Sequence, residues 1–151
     1  MIQLSNLNTV TFIGVLALAV SALAKSDKQR EFTAWISSHD QDVFGLGMVG
    51  FDLSQLPWAS ASFDDDRALI LDVIVAAKAR TGWNRLGFAP SEAWLQPRLD
   101  QFRTLIEVFA IADASQNNAD VWSYGGKPEH WTVCPIHDIY QHSYGCVLCH
   151  D

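Results

Sequence analysis

The chain is poor in charged residues, glycine and proline. Of its 151 residues, 18% are charged, nine are glycine and five are proline, whereas 49% are hydrophobic. This composition excludes an intrinsically disordered chain and a collagen-like or low-complexity one. A chain of this length buries about two-thirds of its unfolded surface on folding, so we expect one globular domain.

Basic residues are especially few. Ten Lys and Arg stand against seventeen Asp and Glu, which gives a formal net charge of −7. The basic residues are scattered, and the closest group, Lys25 to Arg30, is interrupted by Asp27. Because nucleic-acid binding requires clustered cations, this charge pattern predicts no nucleic-acid partner. It favours solubility or a basic protein partner.

Common catalytic motifs are missing as well. The sequence has no G-x-x-x-x-G-K-[ST], no H-E-x-x-H and no G-x-S-x-G. Gly45, Gly47 and Gly50 match the letters of G-x-G-x-x-G, but the residues after them do not open a helix, so we expect no dinucleotide site. These absences favour a non-enzymatic protein.

An apolar run of 15 residues without charge extends from Val10 to Ala24. It is shorter than the roughly 18–20 residues that span a bilayer, so no membrane span is expected. The run resembles the apolar part of a secretory leader, yet Met1 to Thr9 contains no Lys or Arg. We therefore predict a buried helix in a cytoplasmic protein, with export as the alternative if the run is a leader.

Helix signals recur along the middle of the chain. Ser26 and Gln29 have the spacing of a capping box. Ser62 is predicted to be the N-cap of the next helix, three aspartates follow in its first turn, and Gly82 is predicted to end it at C′.

A further helix is predicted from an apolar stripe and is expected to end near Ala114. The fold class expected is mainly α, a small helical bundle over residues 1–128 with a zinc knuckle at 129–151 packed on the same domain. The stripe comprises Leu95, Leu99, Phe102, Ile106 and Phe109.

All three cysteines lie in the C-terminal segment. Cys134 and His137 form a C-x2-H pair, Cys146 and Cys149 form a C-x2-C pair, and eight residues separate the pairs. Two such pairs supply four nitrogen and sulfur ligands, the set that Zn²⁺ prefers in tetrahedral sites. The segment resembles the short knuckles of zinc-ribbon and treble-clef proteins, which implies a metal but no activity. With no place for water, the Zn²⁺ is predicted to be structural.

Two other interpretations use the same residues. The run from Cys146 to His150 is also the C-x-x-C-H motif of c-type haem attachment, which would require export and leave Cys134 unused. A catalytic zinc site would need an open coordination position. Nearby side chains could act as its bases, namely those of His130, Asp138, His142, His150 and Asp151. We expect instead a non-enzymatic, acidic zinc protein that binds a basic protein partner, in the manner of an immunity protein that neutralises a toxin.

Overall fold

The computed structural model describes residues 6–37, 56–113, 128–141 and 145–149. Helix α1 packs against two others, α2 and α3, and α4 packs against α3. The mainly helical bundle expected from the sequence is therefore confirmed. The helices are α1 (Asn6–Leu23), α2 (Asp27–Ser37), α3 (Phe63–Lys78) and α4 (Glu92–Val108), and short 3-10 turns follow at Trp83–Arg85 and Ile111–Asp113.

Helix α1 lies at the centre of the bundle. Every side chain from Phe12 to Val20 is buried, so the helix has no polar face over this stretch. The predicted buried helix is thus confirmed for these residues. Among the described residues, no helix is both long and apolar enough to cross a bilayer.

The capping box at the start of α2 is confirmed. Ser26 Oγ accepts the Gln29 backbone N–H at 3.2 Å, and Gln29 Oε1 accepts the Ser26 N–H at 3.2 Å. The two residues therefore satisfy each other's free donors at the helix end. Phe32, Trp35 and Ile36, which share one face of the helix, are buried in the core.

The first turn of α3 differs from its expected form. Ser62 occupies the N-cap position, but its side chain makes no capping hydrogen bond. Its hydroxyl donates instead to Asp66 Oδ2 at 2.8 Å, and Asp66 is buried. Two aspartates, Asp64 and Asp65, stay exposed near the positive end of the helix dipole, as predicted.

The prediction that Gly82 ends α3 at C′ is wrong. Arg80 occupies that position with a left-handed φ of 66°. The Thr81 N–H donates to the Ala76 carbonyl at 3.1 Å and the Arg80 N–H to the Ala77 carbonyl at 3.1 Å, which is the Schellman pattern. Gly82, with φ 78°, starts the following 3-10 turn.

The apolar stripe of α4 is buried along its whole length, as predicted. The helix nevertheless ends at Val108 and not near Ala114, because Phe109 adopts an extended conformation. The Phe109 ring stacks on Trp58 at 5.2 Å, and Arg67 Nη1 donates to the Phe109 carbonyl at 3.1 Å. Packing and a side-chain donor thus stabilise the break in the helix.

Candidate metal centre

The first Cys/His pair lies on a tight chain reversal. Val133 and Tyr140 form an antiparallel bridge, and between them the Cys134 N–H donates to the Ile139 carbonyl at 2.9 Å. The Asp138 N–H donates to the Cys134 carbonyl at 2.8 Å, and Asp138 has φ 58°. Aspartate is among the few residues that tolerate this left-handed conformation. The turn brings Cys134 and His137 to the same side.

The second pair, Cys146 and Cys149, lies on a turn whose backbone conformation depends on Gly145. Gly145 has φ 113°, which a residue with a Cβ would adopt only under strain. Immediately after it, the Cys149 N–H donates to the Cys146 carbonyl at 3.2 Å and closes the C-x2-C turn. Gly145 therefore supplies the backbone conformation that precedes the second pair.

The two turns bring the four predicted ligands together. The sulfur atoms of Cys134 and Cys149 are 3.7 Å apart. His137 Nδ1 lies 3.7, 3.5 and 3.4 Å from the sulfur atoms of Cys134, Cys146 and Cys149, respectively. All four donor atoms lie within 4.8 Å of one another. The cluster is close enough to hold one metal ion.

These separations can be compared with the edges of a tetrahedron. Zn–S bonds of about 2.3 Å and Zn–N bonds of about 2.0–2.1 Å give S···S edges of about 3.8 Å and S···N edges of about 3.5–3.6 Å. The S···S distance of 3.7 Å and the S···N distances of 3.4–3.7 Å match both values. Nδ1 is the ring nitrogen that faces the sulfur atoms.

The three thiols ionise with different ease. Burial works to raise the pKa of Cys134, but the backbone N–H groups of His137 and Ile136 outweigh it and lower the pKa to about 6. Burial raises the pKa of Cys146 to about 12 and also raises the pKa of Cys149. A metal cation bound among the three sulfur atoms would stabilise their thiolate forms.

Several contacts attach the two turns to the bundle. The Tyr140 backbone N–H donates to Ser21 Oγ of α1 at 3.1 Å, and Arg30 Nε of α2 donates to the Tyr140 hydroxyl at 3.1 Å. Arg85 pairs with Asp138 at 3.4 Å.

The buried Leu148 side chain lies on Gly14, where an added Cβ would approach its Cδ2 to 3.0 Å. A side chain of the C-terminal segment therefore packs directly on the central helix.

Other predicted site residues fall elsewhere. His130 and Asp138 are exposed and lie outside the four-residue cluster. His142, His150 and the glycines of the G-x-G-x-x-G run lie outside the described residues. For haem attachment the sulfur atoms of Cys146 and Cys149 would have to face a porphyrin, whereas here both face His137 Nδ1.

Sequence patterns did not reveal a groove beside the cluster. Its volume is about 610 Å³, and Cys149 and His137 line it together with apolar side chains. Phe88 and Ile136 are notably exposed, at 46% and 70%. Both belong to turns, where helical periodicity does not predict which side chains are buried. The one sequence feature that pointed to the groove was Ile136, an apolar residue between Cys134 and His137. The apolar side chains are Leu86, Phe88, Ile136 and Leu148.

No family model matches this chain, and neither a curated protein nor a solved structure shows significant similarity to it.

Proposed function

We propose that Cys134, His137, Cys146 and Cys149 bind one Zn²⁺ in a structural site that holds the C-terminal segment on the helical bundle. The observation that carries this proposal is the agreement between the donor-atom separations and the edges of a zinc tetrahedron. Three sulfur donors and one imidazole favour zinc over the harder cations Mg²⁺ and Ca²⁺, which prefer oxygen.

A closed site suits a structural role. Four protein donors fill a tetrahedron and leave no corner for the water that a catalytic zinc needs. Structural zinc sites contribute on the order of 10 kcal/mol to folding of the segment that holds them. The segment here has little regular secondary structure of its own: among its described residues there are two turns and isolated bridge positions. A bound metal would therefore be the main source of stability for the C-terminal segment.

Metal analysis of variants tests this proposal. The purified chain should contain one zinc per molecule by mass spectrometry of the elements. Cys146→Ser should lose the metal and lower the midpoint of thermal unfolding. His130→Ala is the matched control, because His130 is exposed in the same segment and lies outside the cluster. Zinc retained by Cys146→Ser with an unchanged midpoint would contradict a structural role.

Cobalt substitution separates the closed site from the open site of a hydrolase. The groove beside Cys149 is the one observation that favours a hydrolase. A closed site should give the intense visible absorption of tetrahedral Co²⁺ with thiolate ligands, unchanged by added azide. An azide-dependent spectrum would indicate an exchangeable water position and support the hydrolase. A strong Soret band in the protein as purified would support haem instead.

For the protein as a whole we propose a non-enzymatic role in binding a basic protein, as an immunity protein does. The net charge of −7 supports a basic partner. One exposed face of α3 combines acid with apolar surface, since Asp65, Ala68, Asp72 and Val75 follow at helical spacing and are all exposed. Charged groups would speed association with a basic partner, and Val75 would add apolar contact.

Charge variants test the partner proposal. Co-purification from the native host should recover a basic protein with the wild-type chain and lose it with Asp65→Asn/Asp72→Asn. Glu129→Lys is the matched control: it changes the net charge by the same two units at an exposed position of the C-terminal segment. Equal recovery by all three chains would show that this face of α3 is not the binding surface, and recovery of no basic protein would refute the partner.

A further inference from the structure

The three sulfur atoms of the cluster have different surroundings. Cys134 and Cys146 are buried, and Cys149 is exposed. The Cys134 sulfur also accepts the backbone N–H of His137 at 3.5 Å. Hydrogen bonds to a thiolate withdraw electron density and reduce its nucleophilicity.

Cys149 lacks this protection within the part of the chain that the structure describes. No backbone N–H of a described residue donates to its sulfur, whose neighbours in the cluster are the Cys134 sulfur and His137 Nδ1. A metal-bound Cys149 would be held as a thiolate at neutral pH, as a zinc ligand must be. Of the three cysteines, Cys149 is the most accessible to a molecule in solution.

A groove of about 610 Å³ lies beside Cys149. This volume lies in the range of ligand pockets, roughly 300–1,000 Å³. Apart from His137 and Cys149, the described side chains that line it are apolar and uncharged. Leu86, Phe88 and Ile136 would favour an alkyl chain over a polar or charged molecule.

We propose that Cys149 is a modification site, at which the metal-bound thiolate adds to an apolar α,β-unsaturated aldehyde held in the groove. The inference rests on the proposed metal centre. The Cys149 sulfur forms a bond to the β-carbon of the aldehyde, and the π-electron pair of the C=C bond moves to the α-carbon. The α-carbon takes a proton from water, which leaves hydroxide. The product is a thioether, no group leaves, and no oxidant or reductant takes part.

The test uses the full-length, zinc-loaded protein with two aldehydes, trans-2-octenal and acrolein. Mass spectrometry of peptides gives the rate at each cysteine, and each rate is divided by that of the same aldehyde with free cysteine. Trans-2-octenal should react first at Cys149, with a normalised rate at least about tenfold above that of acrolein, because its alkyl chain is buried in the groove.

Two variants identify the groove as the cause. Ile136→Ala should lower the normalised rate for trans-2-octenal and leave the rate for acrolein unchanged. Val108→Ala is the matched control, because Val108 is equally exposed, at 74% against 70%, and does not line the groove. Even labelling of all three cysteines, or equal normalised rates for the two aldehydes, would overturn the inference. Zinc content measured on the same sample separates the failures: zinc-free protein overturns the metal centre as well, whereas unselective reaction of zinc-loaded protein overturns this inference alone.

Discussion

Gly14 offers a direct test of how the C-terminal segment packs on the bundle. A Cβ added at this position would lie 3.0 Å from Leu148 Cδ2, closer than ordinary van der Waals contact. Leu148 is 8% exposed, so it could avoid the new methyl only by moving out of its packed position. Overpacking of this kind costs about 1–3 kcal/mol. Alanine in a helix interior is favoured over glycine by about 0.5–1 kcal/mol, which offsets part of that cost.

A double-mutant cycle isolates the clash. Gly14→Ala alone should lower the free energy of unfolding by about 1 kcal/mol, the difference between these two effects. Leu148→Ala alone should lower it by about 2–5 kcal/mol through loss of a buried side chain. In the Leu148→Ala background, Gly14→Ala should instead raise stability by about 0.5–1 kcal/mol, because the methyl now has room. The coupling energy between the two positions should therefore be about 1–3 kcal/mol.

Urea unfolding monitored by tryptophan fluorescence measures all four proteins, with zinc content checked in each. Ala68→Gly gives the helix-propensity term at an exposed interior position of α3. The reasoning is refuted if Gly14→Ala raises stability by the full propensity difference in the otherwise wild-type chain. That result would mean that Leu148 does not lie against α1.

Three further outcomes are expected from local contacts. Ser21→Ala should lower the free energy of unfolding by about 1–2 kcal/mol, because the Tyr140 N–H loses its acceptor; an unchanged urea midpoint would count against that hydrogen bond. Arg80→Gly should raise the thermal midpoint by about 2 °C, because it relieves a positive φ and loses only an exposed ion pair with Glu92; a lower midpoint would show that the ion pair matters more. Burial raises the pKa of Asp66, so its carboxylate destabilises the fold above that pKa and the penalty disappears as the pH falls. Asp66→Asn should therefore raise the thermal midpoint at pH 7, and the gain should shrink toward pH 4; a gain independent of pH would exclude this cause.

That Cys134 lies beside His137, and Cys146 beside Cys149, could be predicted from the sequence because each pair is local. A spacing of two residues brings both side chains of a pair to one side of a turn, whatever the rest of the chain does. The apolar stripe of α4 could also be predicted, since its buried positions repeat at the period of a helix. Ser26 and Gln29 interact within one turn, so the start of α2 also followed from the sequence alone.

Features that depend on distant residues could not be predicted in this way. The end of α4 depends on Trp58 and Arg67, which contact Phe109 from other parts of the chain. Asp66 resembles its exposed neighbour Asp65 in the sequence, and only the packing of α3 distinguishes them. At the end of α3, glycine was the expected left-handed residue, yet Arg80 adopts that conformation. The groove likewise depends on two turns that are far apart in sequence.

The bond between Tyr140 and Ser21 has a consequence for the order of assembly, since it joins residues 119 positions apart. Closing so long a loop in an unfolded chain costs about 4 kcal/mol of entropy, which one hydrogen bond cannot offset. Once α1 and α2 have packed, Ser21 and Arg30 are held in place together. Tyr140 then has fewer conformations to sample before it forms hydrogen bonds with both. We therefore expect the helices to fold first and the cysteine-bearing turns to dock last. Binding of the proposed metal ion should then accompany the last step of folding.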